Sequence, residues 1–248
     1  MTTIVLIPAR MGAARLPGKP LADIAGEPMI LRVLARAEKA AIGPVVVAAG
    51  DAAIAEAVGA AGGEAVLTDP GLPSGSDRVL AALKAVDPAG RFDIVVNLQG
   101  DLPFVEPAII QDCVELLDAR PSCDIATIVA PESTSADRAN PEVVKAVLSL
   151  GAGGRTGRAL YFTRSTLYGE GPVWRHVGLY AYRRAALERF CAAPPSDLER
   201  REKLEQLRAL EIGLAIDAAV VAAAPLSVDT PADLAAARAF ARRQAAAS

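Results

Sequence analysis

The stretch Asp93–Asp101, DIVVNLQGD, constrains the fold of this 248-residue chain more than any other. Ile94 to Leu98 is a β-rich apolar run that passes straight into a polar turn. A run of about 4–8 apolar residues bounded by turn signals reads as a strand buried on both faces, and such strands sit in sheets covered by helices. Shorter runs of the same kind precede it: Ile4 to Ile7, stopped by Pro8, then Val45 to Ala48 and Ala65 to Leu67. Helical patterns separate them. Met29 to Ala41 places Ile30, Val33, Leu34, Ala37 and Ala41 on one face. An alanine-rich helix follows Asp51, which is suited to cap it. Ser76 to Val86 and Pro107 to Leu117 complete the series, the latter opening on proline, where proline is tolerated. The alternation predicts an α/β fold with a mainly parallel sheet and helices on both faces.

Beyond residue 120 the pattern changes. Ile125 to Val129, Val143 to Leu150 and Arg158 to Thr163 are strand-like, and Gly-Ala-Gly-Gly between the last two predicts an antiparallel hairpin. Gly178 to Tyr182 reads as a strand, Leu198 to Leu210 as one charged amphipathic helix, Ala215 to Val221 as a late strand, and Pro231 to Arg243 as a closing helix with a frayed alanine-rich tail. No internal repeat is visible. The expected organisation is an α/β half over 1–120, a second part over about 121–230, and the closing helix and tail over 231–248.

Composition narrows the class. A hydrophobic share of 52% with 22% charged residues excludes disorder for most of the chain. Lys plus Arg is 26 against 29 Asp plus Glu, a net charge of −3, so the basic excess of a nucleic-acid binder is missing. Cys113, Cys123 and Cys191 are odd in number, far apart and without zinc-ligand spacing, which argues against a disulfide framework and suits a reducing compartment. MTTIVLIPAR has no basic region before its apolar run, and the longest apolar stretch, Ala218 to Val228, contains Pro225 and is too short for a bilayer. A cytoplasmic protein with no membrane partner is the expectation.

Open parallel sheets bind ligands at the carboxyl ends of their strands. Three polar segments fall there: PARMGAARLPGKP, QGD and SVDTP. In the first, Arg10, Arg15 and Lys19 accompany Gly12 and Gly18. Glycines let backbone approach a ligand, arginines grip phosphate oxygens bidentately, and lysine adds a mobile charge. A triphosphate site is one reading, and a solvated basic loop the other. The segment is not a P-loop, because five residues separate Gly12 from Gly18 and Pro20 follows Lys19; it also lacks GxGxxG. Asp101 and Asp229, at two strand ends, suit Mg²⁺, a hard ion that prefers oxygen ligands. Either Asp alone serves equally as a turn former or helix cap.

IPARMGAARLPGKPLADIAGEPMI resembles the N-terminal signature of the 3-deoxy-manno-octulosonate (Kdo) cytidylyltransferases. VVNLQGD, RHVGLYAYRR, EKLEQLRALEIG and VDTPADL resemble that family's later motifs in the same order, so the likeness runs from Ile4 to the closing helix. It implies a three-layer, mainly parallel sheet of the nucleotide-diphospho-sugar transferase type with a small antiparallel dimerisation lobe, a single cytidylyltransferase domain whose residues 1–120 are the nucleotide-binding half and about 121–230 the sugar-binding and dimerisation part of a homodimer. It implies transfer of CMP from CTP to Kdo, giving CMP-Kdo and pyrophosphate and activating Kdo for lipopolysaccharide synthesis. Carried over by position, Ala9, Arg10, Arg15, Lys19, Gly75, Ser76, Arg78 and Gln99 bind the nucleotide. Arg10, Arg15, Lys19 and Asp101 form the catalytic set, and Asp101 and Asp229 hold Mg²⁺. Gln99, Arg164, His176, Tyr180, Glu205 and Gln206 meet the sugar.

Two departures stand out. PSGSDR (73–78) stands where many relatives have QSGTER, and only GEGPV lies between Tyr168 and Trp174, where some relatives carry a long insert. Lys145, in NPEVVKAV, matches the family without an evident chemical role. The nearest alternative is the same reaction with another acid sugar, 8-amino-Kdo or a sialic acid. A nicotinamide-dependent oxidoreductase would need a glycine fingerprint after the first strand, and GAGGRTG lies in the hairpin with the wrong spacing. A non-catalytic nucleotide sensor would bind CTP with Mg²⁺ and release no pyrophosphate.

Overall fold

The computed structural model describes residues 1–12, 15–132, 134–169 and 171–247. Ala13 and Ala14 of the first loop, Glu170 of the short GEGPV loop and Ser248 of the tail therefore lie outside the described residues. The chain forms two compact units, one made of 2–92, 97–110 and 225–248, the other of residue 1, 93–96 and 111–224.

The first unit begins with β1 (Thr3–Ala9), a 3-10 turn (Lys19–Leu21), β2 (Asp23–Ile24), β3 (Glu27–Pro28), α1 (Met29–Lys39), β4 (Val45–Ala49), α2 (Ala52–Ala60), β5 (Glu64–Leu67) and α3 (Gly75–Val86). β6 (Ile94–Leu98) and α4 (Pro107–Ala119) have residues in both units. The second unit continues with β7 (Ile125–Glu132), α5 (Ser135–Ala139), β8 (Lys145–Leu150), β9 (Thr156–Thr163), β10 (Val173–Arg183), α6 (Arg184–Ala192), α7 (Asp197–Glu202), α8 (Gln206–Glu211) and β11 (Ile216–Val220). The chain then returns to the first unit in α9 (Pro231–Ala247).

Within the first unit β5, β4 and β1 lie side by side and parallel. The second unit is mixed. β7 pairs parallel with β11, while β10–β7, β10–β8, β11–β9 and the β8–β9 hairpin are antiparallel. Every residue of β1 and β6 is buried, as their apolar runs require.

Several expectations are corrected. Pro8 does not stop the first strand but lies inside β1. Leu198 to Leu210 is two helices. Ser196 and Glu199 form a capping box that starts α7, and Lys203, in the left-handed region at φ 57°, ends it before Glu205 opens α8. The closing helix continues to Ala247, because alanine is the strongest helix former. Asp51 stands at the N-cap of α2 but makes no capping bond with its side chain. β10 is eleven residues long rather than five, and α6 follows it directly.

The first unit's core explains where the closing helix sits. Ile24, Met29, Phe104, Val228, Leu234, Ala237 and Ala241 pack together, with the Phe104 and Phe240 rings edge-on at 4.8 Å. Burying each large aliphatic or aromatic side chain contributes about 1.5–3 kcal/mol. That cluster binds α9 to the β2–β3 hairpin and the start of α1. The segments carrying Lys19, Asp101 and Asp229 are thus drawn toward one place.

Candidate active site

The first loop is shaped by its own backbone. Gly18 donates its N–H to the Met11 carbonyl at 3.1 Å, closing residues 11–18 on themselves. Gly18 has φ 71°, a conformation open to glycine at little cost, and it turns the chain into the 3-10 turn that begins with Lys19. The Met11 N–H donates to Asp51 Oδ2 at 2.8 Å, so a carboxylate at the end of β4 anchors the loop.

Lys19 then reaches across two segments distant in sequence. Its Nζ lies 3.1 Å from Asp101 Oδ2 and 3.0 Å from Asp229 Oδ1. Arg15 approaches the other Asp229 oxygen at 3.3 Å. The two acidic segments are stitched together by the Val228 N–H, which donates to the Asp101 carbonyl at 2.9 Å. Thr230 and Asp233 cap α9: Asp233 Oδ2 accepts from the Asp229 and Thr230 N–H groups, and Thr230 Oγ1 accepts from the Asp233 N–H. The Asp229 carboxylate is left to face the cations, which separates the two roles the sequence left open for SVDTP.

The electrostatics follow from this crowding. Burial alone disfavours the Lys19 ammonium, but Asp101 and then Asp229 outweigh it and raise its pKa. The Asp101 pKa is also raised, by burial first and by the Asp229 charge, against the pull of Lys19. Both shifts express one fact: a single ammonium serves two carboxylates.

These groups border a cleft of about 240 Å³ lined by Ala9, Arg10, Lys19, Gly75, Arg78, Gln99 and Asp101, with Pro8, Pro20, Ser74 and Gly100. A Cβ at Gly100 would stand 3.1 Å from the Pro8 carbonyl oxygen, a tight approach that favours glycine there. Ser74, not Ser76, caps α3 by accepting from the Asp77 N–H, and Ser76 is buried. Arg78 borders the cleft while donating to Thr68 Oγ1 at 2.5 Å and to the Asp69 carbonyl at 3.1 Å, which ties down the turn after β5. Burial, then the neighbouring Arg10, lower its pKa. Gln99 donates to Asn97 Oδ1 at 3.0 Å. The first unit thus gathers all the residues assigned to the nucleotide and the metal.

The remaining sugar candidates stand in the second unit. His176, half-buried on β10, has its ring centroid 5.3 Å from Tyr180 and 5.1 Å from Phe162. Burial pushes its pKa down to about 4. Burial, then the Glu205 charge, push the Tyr180 phenol up. Gln206 is buried at the start of α8. Arg164 is held by donating to the Pro141 carbonyl at 3.0 Å. Lys145, fully buried, donates to the carbonyls of Asn140, at 2.5 Å, and Arg164, at 2.9 Å, so its task is to tie two loops together.

Sequence reasoning missed the anchoring role of Asp51, the polar partner Asn97, and Thr127 and Arg138, discussed below. Asp51 had a signal, because it too follows a strand end. None of the three cysteines is in a disulfide, and burial raises Cys123 to about 11.

Two carboxylates and two cations thus meet beside a cleft lined in part by Gly75 and Gly100, with Asp101 shortly after β6 and Asp229 just before α9 rather than at the end of the late strand. A cytidylyltransferase family profile matches residues 4–216. The 3-deoxy-manno-octulosonate cytidylyltransferase of Parvibaculum lavamentivorans is 59% identical over 97% of this chain and 93% of its own, and that of Rhodospirillum centenum 62% identical over 96% and 92%. A solved CMP:2-keto-3-deoxy-manno-octonic acid synthetase complexed with CTP superposes with a TM-score of 0.89 at 38% identity, covering 98% of this chain and all of that one. A cytidylyltransferase from Leptospira borgpetersenii, 18% identical with a TM-score of 0.65, covers 98% of this chain and 87% of its own and shares the fold alone. The chain belongs to the cytidylyltransferases and, within them, to the 3-deoxy-manno-octulosonate cytidylyltransferase family.

Proposed function

We infer that the chain transfers CMP from CTP to Kdo, giving CMP-Kdo and pyrophosphate. The observation that carries this reading is the convergence of Arg15, Lys19, Asp101 and Asp229 at one edge of the cleft, in a chain whose near-full-length relatives bear that activity in their names. Those names do not favour a different acid sugar.

The chemistry is an in-line displacement at the α-phosphate. The anomeric 2-hydroxyl of the sugar forms the new P–O bond, the bond to the β-phosphate breaks, pyrophosphate leaves with that electron pair, and the hydroxyl proton passes to solvent. Such a reaction needs positioning and charge stabilisation more than covalent help. Arg10, Arg15 and Lys19 supply donors to the triphosphate oxygens. Ala9, Gly75, Ser76, Arg78 and Gln99 border the nucleoside. Gln99, Arg164, His176, Tyr180, Glu205 and Gln206 meet the sugar.

Mg²⁺ fits the donor set, since Asp101 and Asp229 turn oxygens toward one cation-sized position that Lys19 Nζ fills. Held there, it would neutralise phosphate charge. Arg15 and Lys19 give the carboxylates their counter-charge, and the same side chains are suited to donate to phosphate oxygens.

The same reading includes a three-layer, mainly parallel sheet of the nucleotide-diphospho-sugar transferase type and a homodimer formed through the antiparallel lobe. It also includes a cytoplasmic location and a role in supplying lipopolysaccharide synthesis. Among the described residues no helix is long and apolar enough to cross a membrane.

The test is pyrophosphate release from CTP with Kdo, with and without Mg²⁺, beside a panel of other sugar acids. Release that requires CTP, Kdo and Mg²⁺ together supports the reading. CTP binding without release, or preference for another acid, overturns it.

A further inference from the structure

Thr127 is a fully buried polar residue on β7, and nothing in the function described above uses it. Its hydroxyl lies 2.8 Å from the Leu179 carbonyl oxygen, 3.5 Å from that of Val177 and 3.0 Å from His176 Nε2. The local fold creates this meeting. β10 pairs Val177 with Ile128 but Tyr180 with Thr127, so Gly178 and Leu179 are extra residues in a bulge. A bulge leaves backbone groups outside the ladder, and here it turns the Leu179 carbonyl onto the Thr127 hydroxyl.

A threonine hydroxyl has one proton and two lone pairs. A carbonyl oxygen only accepts, so at 2.8 Å the Thr127 proton must lie toward Leu179; otherwise two lone pairs would face each other. The hydroxyl oxygen is then left as an acceptor toward His176. The His176 nitrogen at 3.0 Å must carry a proton, because two acceptors at that distance repel. In a neutral imidazole one nitrogen is protonated and the other bare, so protonation at Nε2 leaves Nδ1 as an acceptor.

We propose that Thr127 is a positioning residue that locks His176 in the Nε2–H tautomer, so that Nδ1 accepts a hydrogen bond from a hydroxyl group of the acid sugar. The role given to the sugar rests on the proposed function; the tautomer does not. The low pKa of His176 supports the neutral form, since only the uncharged ring has a bare nitrogen. The sugar carboxylate must therefore find its positive partner in another residue.

His176 is the only histidine in the chain, so ¹⁵N NMR of the full-length protein labelled at histidine reads one imidazole without assignment. The expected wild-type spectrum at pH 7 shows Nε2 protonated and Nδ1 bare, unchanged in Thr127→Ser. Thr127→Val, which keeps the shape and removes the acceptor, is expected to give a mixture of tautomers. In steady-state turnover, Thr127→Val should raise KM for Kdo about 3- to 10-fold, the worth of one neutral hydrogen bond, with kcat within about twofold and Thr127→Ser restoring KM. An Nδ1–H tautomer or an imidazolium at pH 7 in the wild type would overturn the proposal, as would a Thr127→Val spectrum identical to wild type. Should Thr127→Val fail to fold, the wild-type and Thr127→Ser spectra still decide the tautomer. Absence of turnover with Kdo in wild type, together with the expected tautomer, would instead refute the functional reading and the sugar role while leaving the positioning intact.

Discussion

Replacing Lys19 with methionine removes a cation that touches both acidic side chains of the site. Methionine keeps the apolar stem and so isolates the loss of charge. The Lys19 Nζ distances of 3.1 and 3.0 Å bound the separation of the two facing carboxylate oxygens at about 6 Å. Two like charges at that distance repel by about 3 kcal/mol at the effective dielectric of protein surfaces. The Asp229 side chain is 39% exposed and Arg15 remains on its far oxygen, so solvent and Arg15 reduce this to about 1–2 kcal/mol. For a domain of this size that lowers the unfolding midpoint by about 2–8 °C. The pH dependence has a definite sign. The folded-state pKa of Lys19 is raised, so its contribution is fully present below the unfolded value of 10.5 and is lost as pH rises through the higher folded value. The wild-type advantage over Lys19→Met should thus hold through neutral pH and disappear only in strong alkali. Thermal unfolding with and without Mg²⁺ provides the sharper measurement. If Asp101 and Asp229 hold the metal, Mg²⁺ should stabilise Lys19→Met more than wild type, because it no longer competes with the ammonium. Equal Mg²⁺ shifts in the two proteins, or a variant as stable as wild type without metal, would refute the reasoning.

Three other perturbations test the frame around that site. Asp51→Ala should free the first loop and raise KM for CTP about tenfold through the loss of one charged acceptor, while Asp51→Asn, which retains an acceptor for the Met11 N–H, should recover most of it; steady-state kinetics in CTP check this. Gly18→Ala places a side chain at φ 71° and should cost about 1–2 kcal/mol in denaturant unfolding while weakening CTP binding, because Lys19 is the next residue. Arg138 donates to the carbonyls of Leu167, Gly169 and Gly171, so Arg138→Ala should open the 164–172 loop to limited proteolysis with little change in the global unfolding midpoint.

Much of the framework was legible because it rests on local signals. The buried runs at Ile4, Val45 and Ile94 became β1, β4 and β6, and the glycine-rich tip predicted the β8–β9 hairpin. The misreadings have physical causes. Leu198 to Leu210 carries one continuous helical pattern, and periodicity cannot register that Lys203 adopts a left-handed conformation. Pro8 was read as a stop, although proline in a strand costs only one ladder hydrogen bond. α6 has few large apolar residues and follows β10 without a turn signal, which hid it.

The site was legible in its residue types but not in its pairings. Sequence assigned Lys19 to phosphate and Asp101 and Asp229 to metal, as if each waited alone for its ligand. In the folded chain they neutralise one another, and the reason is desolvation: a half-buried carboxylate pair is costly unless a cation is close, and the first loop brings Lys19 to both. Nothing local encodes this, because 82 residues separate Lys19 from Asp101 and 210 separate it from Asp229. What joins them is the Val228–Asp101 backbone bond and the apolar seam of α9, neither of which carries a chemical motif. The closing helix is therefore as much a part of the site as the loop. Apolar-to-alanine changes in that seam, at Leu234 or Phe240, should reduce Mg²⁺-dependent stabilisation although neither side chain is a metal ligand. If unfolding measurements showed the full Mg²⁺ effect in a folded Leu234→Ala protein, α9 would be a passive cover, and the placement of Asp229 would have to come from the Val228–Asp101 bond alone.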